Sequence, residues 1–388
     1  MISPATSNIG EEKRKIFNKN SIDFSKNKIV IFQSDDWGYC GGTPNIEIYN
    51  ELKDIFVDYF GKKSTVWGKA TLECPENMEN LFSILEKYTD KRGRHPCFNA
   101  AYVVSNPDFR KIKSNNFKNY FDLELPNVSS LWRRGDIIEK AREGIKRGVW
   151  YPTYHGRSHF NHYKWMRQLS QNDPVIVKAF QNQVVISDSF EYDKNIPIYK
   201  QEENLQIGIK RFKKLFGFAP VSTIAPSYKW QNKTEKLFSK HGMRIIQAKN
   251  YQETKRTLSE KIKGKIVNII GHKSFDKPWQ IEIGDYNPHL DVIYLKRNVY
   301  FEPEGRKDNN TRHGATGAYR QILKCWKNNE PAIIVTHRVN YINHDNAYVD
   351  INLKHLDRLL CLIHSMHPDV NYFQDKELTE FFKTGDLN

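Results

Sequence analysis

Short apolar runs alternate with longer stretches of helical spacing along most of this chain. Runs at 28–32, 97–104, 149–154, 220–224, 244–248, 266–270, 292–295 and 332–336 have strand length. Between them, 134–147, 175–185, 201–216, 234–241, 315–327 and 353–366 carry apolar residues at helical spacing. Thr43 before Pro44 sets a hydroxyl cap ahead of a proline at the first helical position, which predicts a helix over 45–60. The tail adds a strand at 370–373 and a helix at 376–382. Strand and helix in alternation predict an α/β fold rather than segregated layers, and eight strand runs suit a distorted (β/α) barrel of about seven to eight strands. No internal repeat or Pro/Gly/Ser-rich linker interrupts the pattern. The expectation is therefore a single domain with insertions over 28–388, preceded by an N-terminal extension over 1–27.

Composition narrows the function classes. A chain of 388 residues with 39% hydrophobic content can bury a large core, so disorder is excluded as the default. Aromatic residues make up 13%, and Tyr, Trp and Phe line carbohydrate sites as well as cores. The net charge of +15 raises nucleic acid, an anionic membrane or a phosphorylated substrate as partners. Because the basic residues are spread out and no nucleic-acid module signature is present, no nucleic-acid partner is expected. A phosphate-bearing substrate fits the charge, and so does an AT-rich genome that inflates Lys and Asn. Five scattered cysteines without a CxxC pair argue against a disulfide framework and a cysteine zinc site. The first 27 residues lack an apolar signal region, and no run reaches bilayer length. A cytoplasmic protein without a transmembrane segment is expected.

Three motifs carry chemistry, each at the end of a predicted strand, where parallel α/β folds collect ligands. In "SDDWG", Asp35 and Asp36 are adjacent carboxylates, which stay ionised cheaply only beside a cation or several donors. A turn or helix cap explains the same pair equally simply. In "HGRSH", His155 and His159 stand four apart, a spacing that puts two imidazoles on one side of a helical turn and suits a divalent metal. Two His and one Asp would form a facial ligand set with open positions. In "PAIIVTHR", His337 ends an apolar run with a pKa range suited to proton transfer.

Taken in this order, the motifs resemble the polysaccharide deacetylase superfamily, carbohydrate esterase family four, over roughly residues 28–382. The resemblance implies a metal-dependent hydrolase, commonly with zinc, that removes an acetyl group from a sugar. It assigns Asp35 as the general base toward a metal-bound water, Asp36, His155 and His159 as metal ligands, and His337 as the acid that protonates the leaving group. It also places a substrate-binding proline motif at "STIAPSYKW", so a backbone donor for the oxyanion is expected around Pro226 and Tyr228. Departures from the family pattern are visible. Trp37 intervenes between Asp36 and Gly38, and the arginine usual in the proline motif is missing. Arg297 is the expected replacement, Asp291 the expected orienter of a catalytic histidine, and Trp37 and Tyr228 the expected platforms for a sugar ring. The substrate is expected to be an acetylated sugar, nucleotide- or lipid-linked if the protein is cytoplasmic. The competing readings are a hydrolase of a non-sugar amide and a catalytically silent glycan-binding barrel.

Overall fold

A computed structural model describes residues 15–16, 22–61, 65–249 and 281–385. Its main sheet has eleven strands: β1 Lys15–Ile16, β2 Ile29–Trp37, β3 Phe98–Tyr102, β4 Trp150–Tyr154, β5 Ser222–Thr223, β6 Ile245–Ala248, β7 Asp285–Asn287, β8 Val292–Lys296, β9 Val299–Tyr300, β10 Ala332–His337 and β11 Asn371–Tyr372. The strand order is β1-β7-β8-β6-β5-β4-β3-β2-β10-β9, with β11 on the start of β2. From β8 to β9 every neighbouring pair is parallel, and only β1 and β7 run antiparallel at the edge.

One connection shows how this array is shaped. β8 and β9 lie at opposite ends of the parallel order, yet only Arg297 and Asn298 separate them in the chain. So short a link spans roughly 10 Å. The array must therefore curl until its ends meet, giving a barrel whose seam is a single extended run that leaves β6 and joins β10. The predicted α/β barrel is thus an open-seamed one.

Strand β2 shows why the barrel holds together. Ile29 and Ile31 join Ile245, Ile293, Leu295 and Ile333 in an inner apolar cluster, while Val30 and Phe32 face an outer one with Met78, Leu81 and Phe82 of the helix Pro75–Leu85. A period of two with both faces buried is the signature of a parallel strand covered by helices. The inner cluster is completed from the last helix, Asp375–Thr384, by Leu378, Phe381 and Phe382, together with Ile22 and Phe24. Ile22 and Phe24 belong to the stretch expected as an extension, and Lys15–Ile16 pairs with β7.

The strand expected at 266–270 lies outside the described residues. The run at 220–224 shortens to Ser222–Thr223, and the helix Ala315–Lys327 has the predicted bounds. Among the described residues, four α-helices were not anticipated: Thr65–Gly68, Phe109–Ser114, Pro75–Leu85 with proline in its first turn, and His162–Ser170, capped by the Asn161 side chain on the Lys164 N–H. Among the described residues no helix is long and apolar enough to cross a membrane.

Candidate active site

The carboxyl ends of the parallel strands converge on one mouth of the barrel, which brings together Asp35, Asp36, His155, Arg297, Glu302 and His337. β2 delivers two acids to one place through a local irregularity. Alternation carries Gln33 and Asp35 inward and would carry Asp36 out to the helices. Opposite β3, however, the step from Ser34 to Trp37 matches only the step from Ala100 to Tyr102, so β2 holds one extra residue. Asp36 takes that position with a left-handed φ of 73°. Both carboxylates then reach the mouth, and Trp37 is turned back into the outer core.

Asp36 faces two imidazoles. Its Oδ1 lies 3.3 Å from His155 Nε2 and 3.2 Å from His159 Nε2. All three residues are buried. His155 follows β4 directly, its amide continues the ladder onto the Tyr102 carbonyl at 2.8 Å, and its Nδ1 lies 3.0 Å from the Ile224 carbonyl. A carbonyl only accepts, so Nδ1 carries a hydrogen; toward Asp36 the neutral ring then turns an Nε2 lone pair and the imidazolium an N–H. Three electron-pair donors converging in this way repel one another unless a cation or proton lies between them. The two Asp36–histidine distances are close to the roughly 3.4 Å edge of a tetrahedron with metal–ligand bonds of about 2.1 Å, and all three donor atoms lie within 4.8 Å of one another. Among the described residues these three side chains form the one His/Cys/Asp/Glu group placed to hold a metal ion. Burial raises the Asp36 pKa, but hydrogen bonds from His155 and His159 override it and hold the carboxyl well below its ordinary range. For His155 burial acts downward, and Asp36 and Asp35 turn the net shift upward; for His159 burial prevails and the pKa falls.

The helical turn expected for "HGRSH" is not what joins the two histidines. The segment is a loop, with His159 at a φ of 68°. Its backbone is held by Glu191, whose carboxylate accepts from the N–H groups of Arg157, Ser158 and His159 at 2.8, 3.1 and 2.9 Å. Successive N–H groups around one anion form a nest. Gly156 is required beside it: at a φ of 107°, a Cβ there would sit 2.2 Å from Glu191 Oε2. Replacing Glu191 with Gln keeps the size but removes half of the acceptor capacity. If Asp36, His155 and His159 hold a divalent ion, its affinity should then fall about 10–100-fold, as for other losses behind metal ligands, measured by titration with zinc. Unchanged affinity would show that the nest does not set the loop.

Asp35 has a different surrounding. Its two oxygens each accept from Arg297, Nη1 and Nη2 both at 2.6 Å, and the pair is almost fully buried. Burial raises the Asp35 pKa, and Arg297 more than offsets this, so the carboxyl lies below its ordinary value. Asp35 Oδ2 is 3.7 Å from His337 Nε2. The other His337 nitrogen, Nδ1, lies 2.6 Å from Glu302 Oε1, and Glu302 Oε2 accepts from the Asn340 side chain. Burial pulls the imidazole pKa down, but the Glu302 carboxylate, helped by Asp35 and Asp36, raises it to about 9. At neutral pH His337 is therefore a cation with an N–H aimed at the mouth.

The remaining expected residues are distributed unevenly. Tyr228 donates nothing from its backbone to the mouth, since its N–H goes to the Ala225 carbonyl at 2.8 Å; its hydroxyl accepts from Arg297 Nη1 at 2.7 Å. Pro226 is buried in the same turn. Trp37 is fully buried against Trp150, ring centroids 4.5 Å apart, and offers no face to the mouth. Asp291 precedes β8, at the opposite end of the barrel, where its side chain is 53% exposed and pairs with Arg244 and Tyr286. Glu302, not Asp291, orients the histidine. It lies two residues past β9, as Asp35 lies two residues before the end of β2, so the strand-end argument applied to Asp35 and His337 also points to it. Another residue not anticipated is Trp67, 44% exposed, whose ring stands edge-on to His337 at 5.2 Å.

No family model and no curated protein matches the chain. Similar solved structures include a Mycobacterium smegmatis protein provisionally described as a polysaccharide deacetylase, at 12% identity over 94% of this chain and 93% of that one, with a TM-score of 0.43. PuuE allantoinase matches at 9% identity over 97% of this chain and 99% of its own, with a TM-score of 0.45. A CE4-family pseudoenzyme from Bacillus anthracis matches at 9% identity over 89% of this chain and 63% of its own, with a TM-score of 0.35. These likenesses are too distant to decide the chemistry, which rests on the residues above.

Proposed function

We propose that this protein is a metal-dependent hydrolase that removes an acetyl group from a sugar. The observation that carries the reading is the presence, at one barrel mouth, of a three-donor metal site beside an arginine-clamped carboxylate and a carboxylate-tethered histidine. Asp36, His155 and His159 would hold a divalent ion, and their ligand types suit zinc. Such an ion supplies Lewis acidity toward an acyl carbonyl and lowers the pKa of water toward neutrality.

The chain's own residues supply the proton transfers. Asp35, kept ionised by Arg297, accepts a proton from the attacking water. His337, charged and directed by Glu302, gives a proton to the departing amine or alcohol as the acyl–heteroatom bond breaks. Water and acetylated sugar thus yield acetate and the deacetylated sugar. A barrel that only bound glycan would use neither the buried Arg297–Asp35 pair nor the Glu302–His337 pair, and isolating such charges is costly. Trp67 supports a sugar over other acyl carriers, because an exposed indole beside the acid offers a flat apolar face for a pyranose ring.

The test of the metal site is metal content per chain in protein purified without a metal-affinity tag. About one divalent ion is expected in the wild type, and none is expected in Asp36→Asn or His155→Ala. A wild type that stays metal-free after incubation with zinc would refute the site.

A further inference from the structure

Below Asp35, the barrel interior holds a polar network that reaches from Arg297 to groups the proposed chemistry does not use. Arg297 donates through Nε to Gln33 Oε1 at 2.8 Å, through Nη1 to Asp35 and Tyr228, and through Nη2 to Asp35 and to Gln247 Oε1 at 2.6 Å. All five of its N–H groups are thereby used. The two glutamines turn their nitrogens the other way, onto one carboxylate: Gln33 Nε2 lies 2.7 Å from Asp375 Oδ1, and Gln247 Nε2 lies 2.7 Å from Asp375 Oδ2. Ser222 Oγ also donates to Oδ2, at 2.6 Å, and the Asp375 N–H donates to Asn99 Oδ1 at 2.9 Å. Gln33, Gln247 and Asp375 are completely buried, so none of these groups can turn to solvent instead.

The logic of this network is directional. Arg297 can only donate, and Asp375, although burial raises its pKa, accepts on both oxygens from Gln33, Gln247 and Ser222, so each glutamine between them has one orientation that satisfies both ends. We propose that Asp375, in the first turn of the last helix, is a positioning residue that locks the amides of Gln33 and Gln247 with their oxygens on Arg297, and thereby fixes the guanidinium that holds Asp35. The last helix then does more than fill the barrel with Phe381 and Phe382. It joins the closed end of the barrel to the proton acceptor at the open end. This inference rests on the hydrolase reading for its kinetic consequence only.

Asp375→Asn is the informative substitution because it preserves shape. The new amide nitrogen fits on the Ser222 side, where a hydroxyl can accept. There it opposes Gln247 Nε2 and competes with it for Ser222 Oγ, which accepts from Gln247 Nε2 at 3.1 Å, so the expected response is that Gln247 turns and presents its own nitrogen to Arg297. The guanidinium loses one acceptor and meets a donor. Pairing this change with Gln247→Glu restores an acceptor on both sides.

The experiment compares wild type, Asp375→Asn and Asp375→Asn with Gln247→Glu, each as the full zinc-loaded chain. One readout is the side-chain spectrum of protein labelled with nitrogen-15 arginine, in which the Arg297 signals are those absent from Arg297→Lys. The other is acetate release from an acetylated sugar. In Asp375→Asn the Arg297 signals should shift or broaden, and kcat should fall about 10–100-fold, the cost of a misplaced reacting group. KM and zinc content should stay unchanged, and the double variant should recover both readouts. Unshifted Arg297 signals with wild-type kcat would overturn the proposal, as would a double variant no better than the single one. Should Asp375→Asn fail to fold, Gln33→Met removes one of the two relays, and an unaltered Arg297 Nε signal there would also overturn it. A wild type that releases no acetate would refute the hydrolase reading, while the arginine spectra would still decide the coupling.

Discussion

Replacing Asp35 with Asn should lower kcat by about 10²–10⁴-fold, the usual contribution of a general base, while the metal site stays filled. Asn matches the carboxylate in size and cannot take up the proton. It also leaves Arg297 facing an amide in place of two anionic oxygens, so a buried cation loses its counter-charge. Removing one partner of such a buried pair costs about 3–5 kcal/mol of stability, and the melting temperature should fall as well. Asp36, whose oxygen faces His155 and His159, is untouched. The distinguishing result is therefore one zinc per chain with almost no turnover. Loss of zinc together with turnover would mean that both acids serve the metal and that their division of roles is mistaken.

The second large effect concerns His337. His337→Gln should also cost about 10²–10⁴-fold in kcat, and Glu302→Gln should show why. With Glu302 in place the His337 pKa is raised to about 9. A general acid works only while protonated, so activity is present below that pH and is lost as the pH rises through it. Glu302→Gln removes the charge that offsets burial. The basic limb of the kcat profile should then move down, toward the ordinary histidine value of about 6.5, and activity at pH 8 should fall more than activity at pH 6. A basic limb that stays where it was would show that another group sets it.

Much of the barrel was legible because its parallel strands, buried on both faces, read as continuous apolar runs. Residues 28–32 and 332–336 mark β2 and β10, and the polar residues that end them lie at the mouth. What the pattern could not show was set by distant partners. The extra residue at Asp36 depends on register against β3, and nothing local separates Asp-Asp at a bulge from Asp-Asp in a turn. For the same reason Trp37 reads as a neighbour of the site although the bulge returns it to the core. The four-residue spacing of His155 and His159 suggests a helix, but Glu191, far along the chain, holds those residues as a loop. Asp375 is further still from Gln33, and only the closed barrel brings the two together.

The most direct test of the account is acetate release from acetylated mono- and oligosaccharides by the zinc-loaded chain, before and after removal of the metal with a chelator. The account predicts release that stops on chelation, returns with zinc, and is absent from Asp35→Asn. No release from any acetylated sugar by protein that carries its zinc, or release that persists without metal, would contradict it.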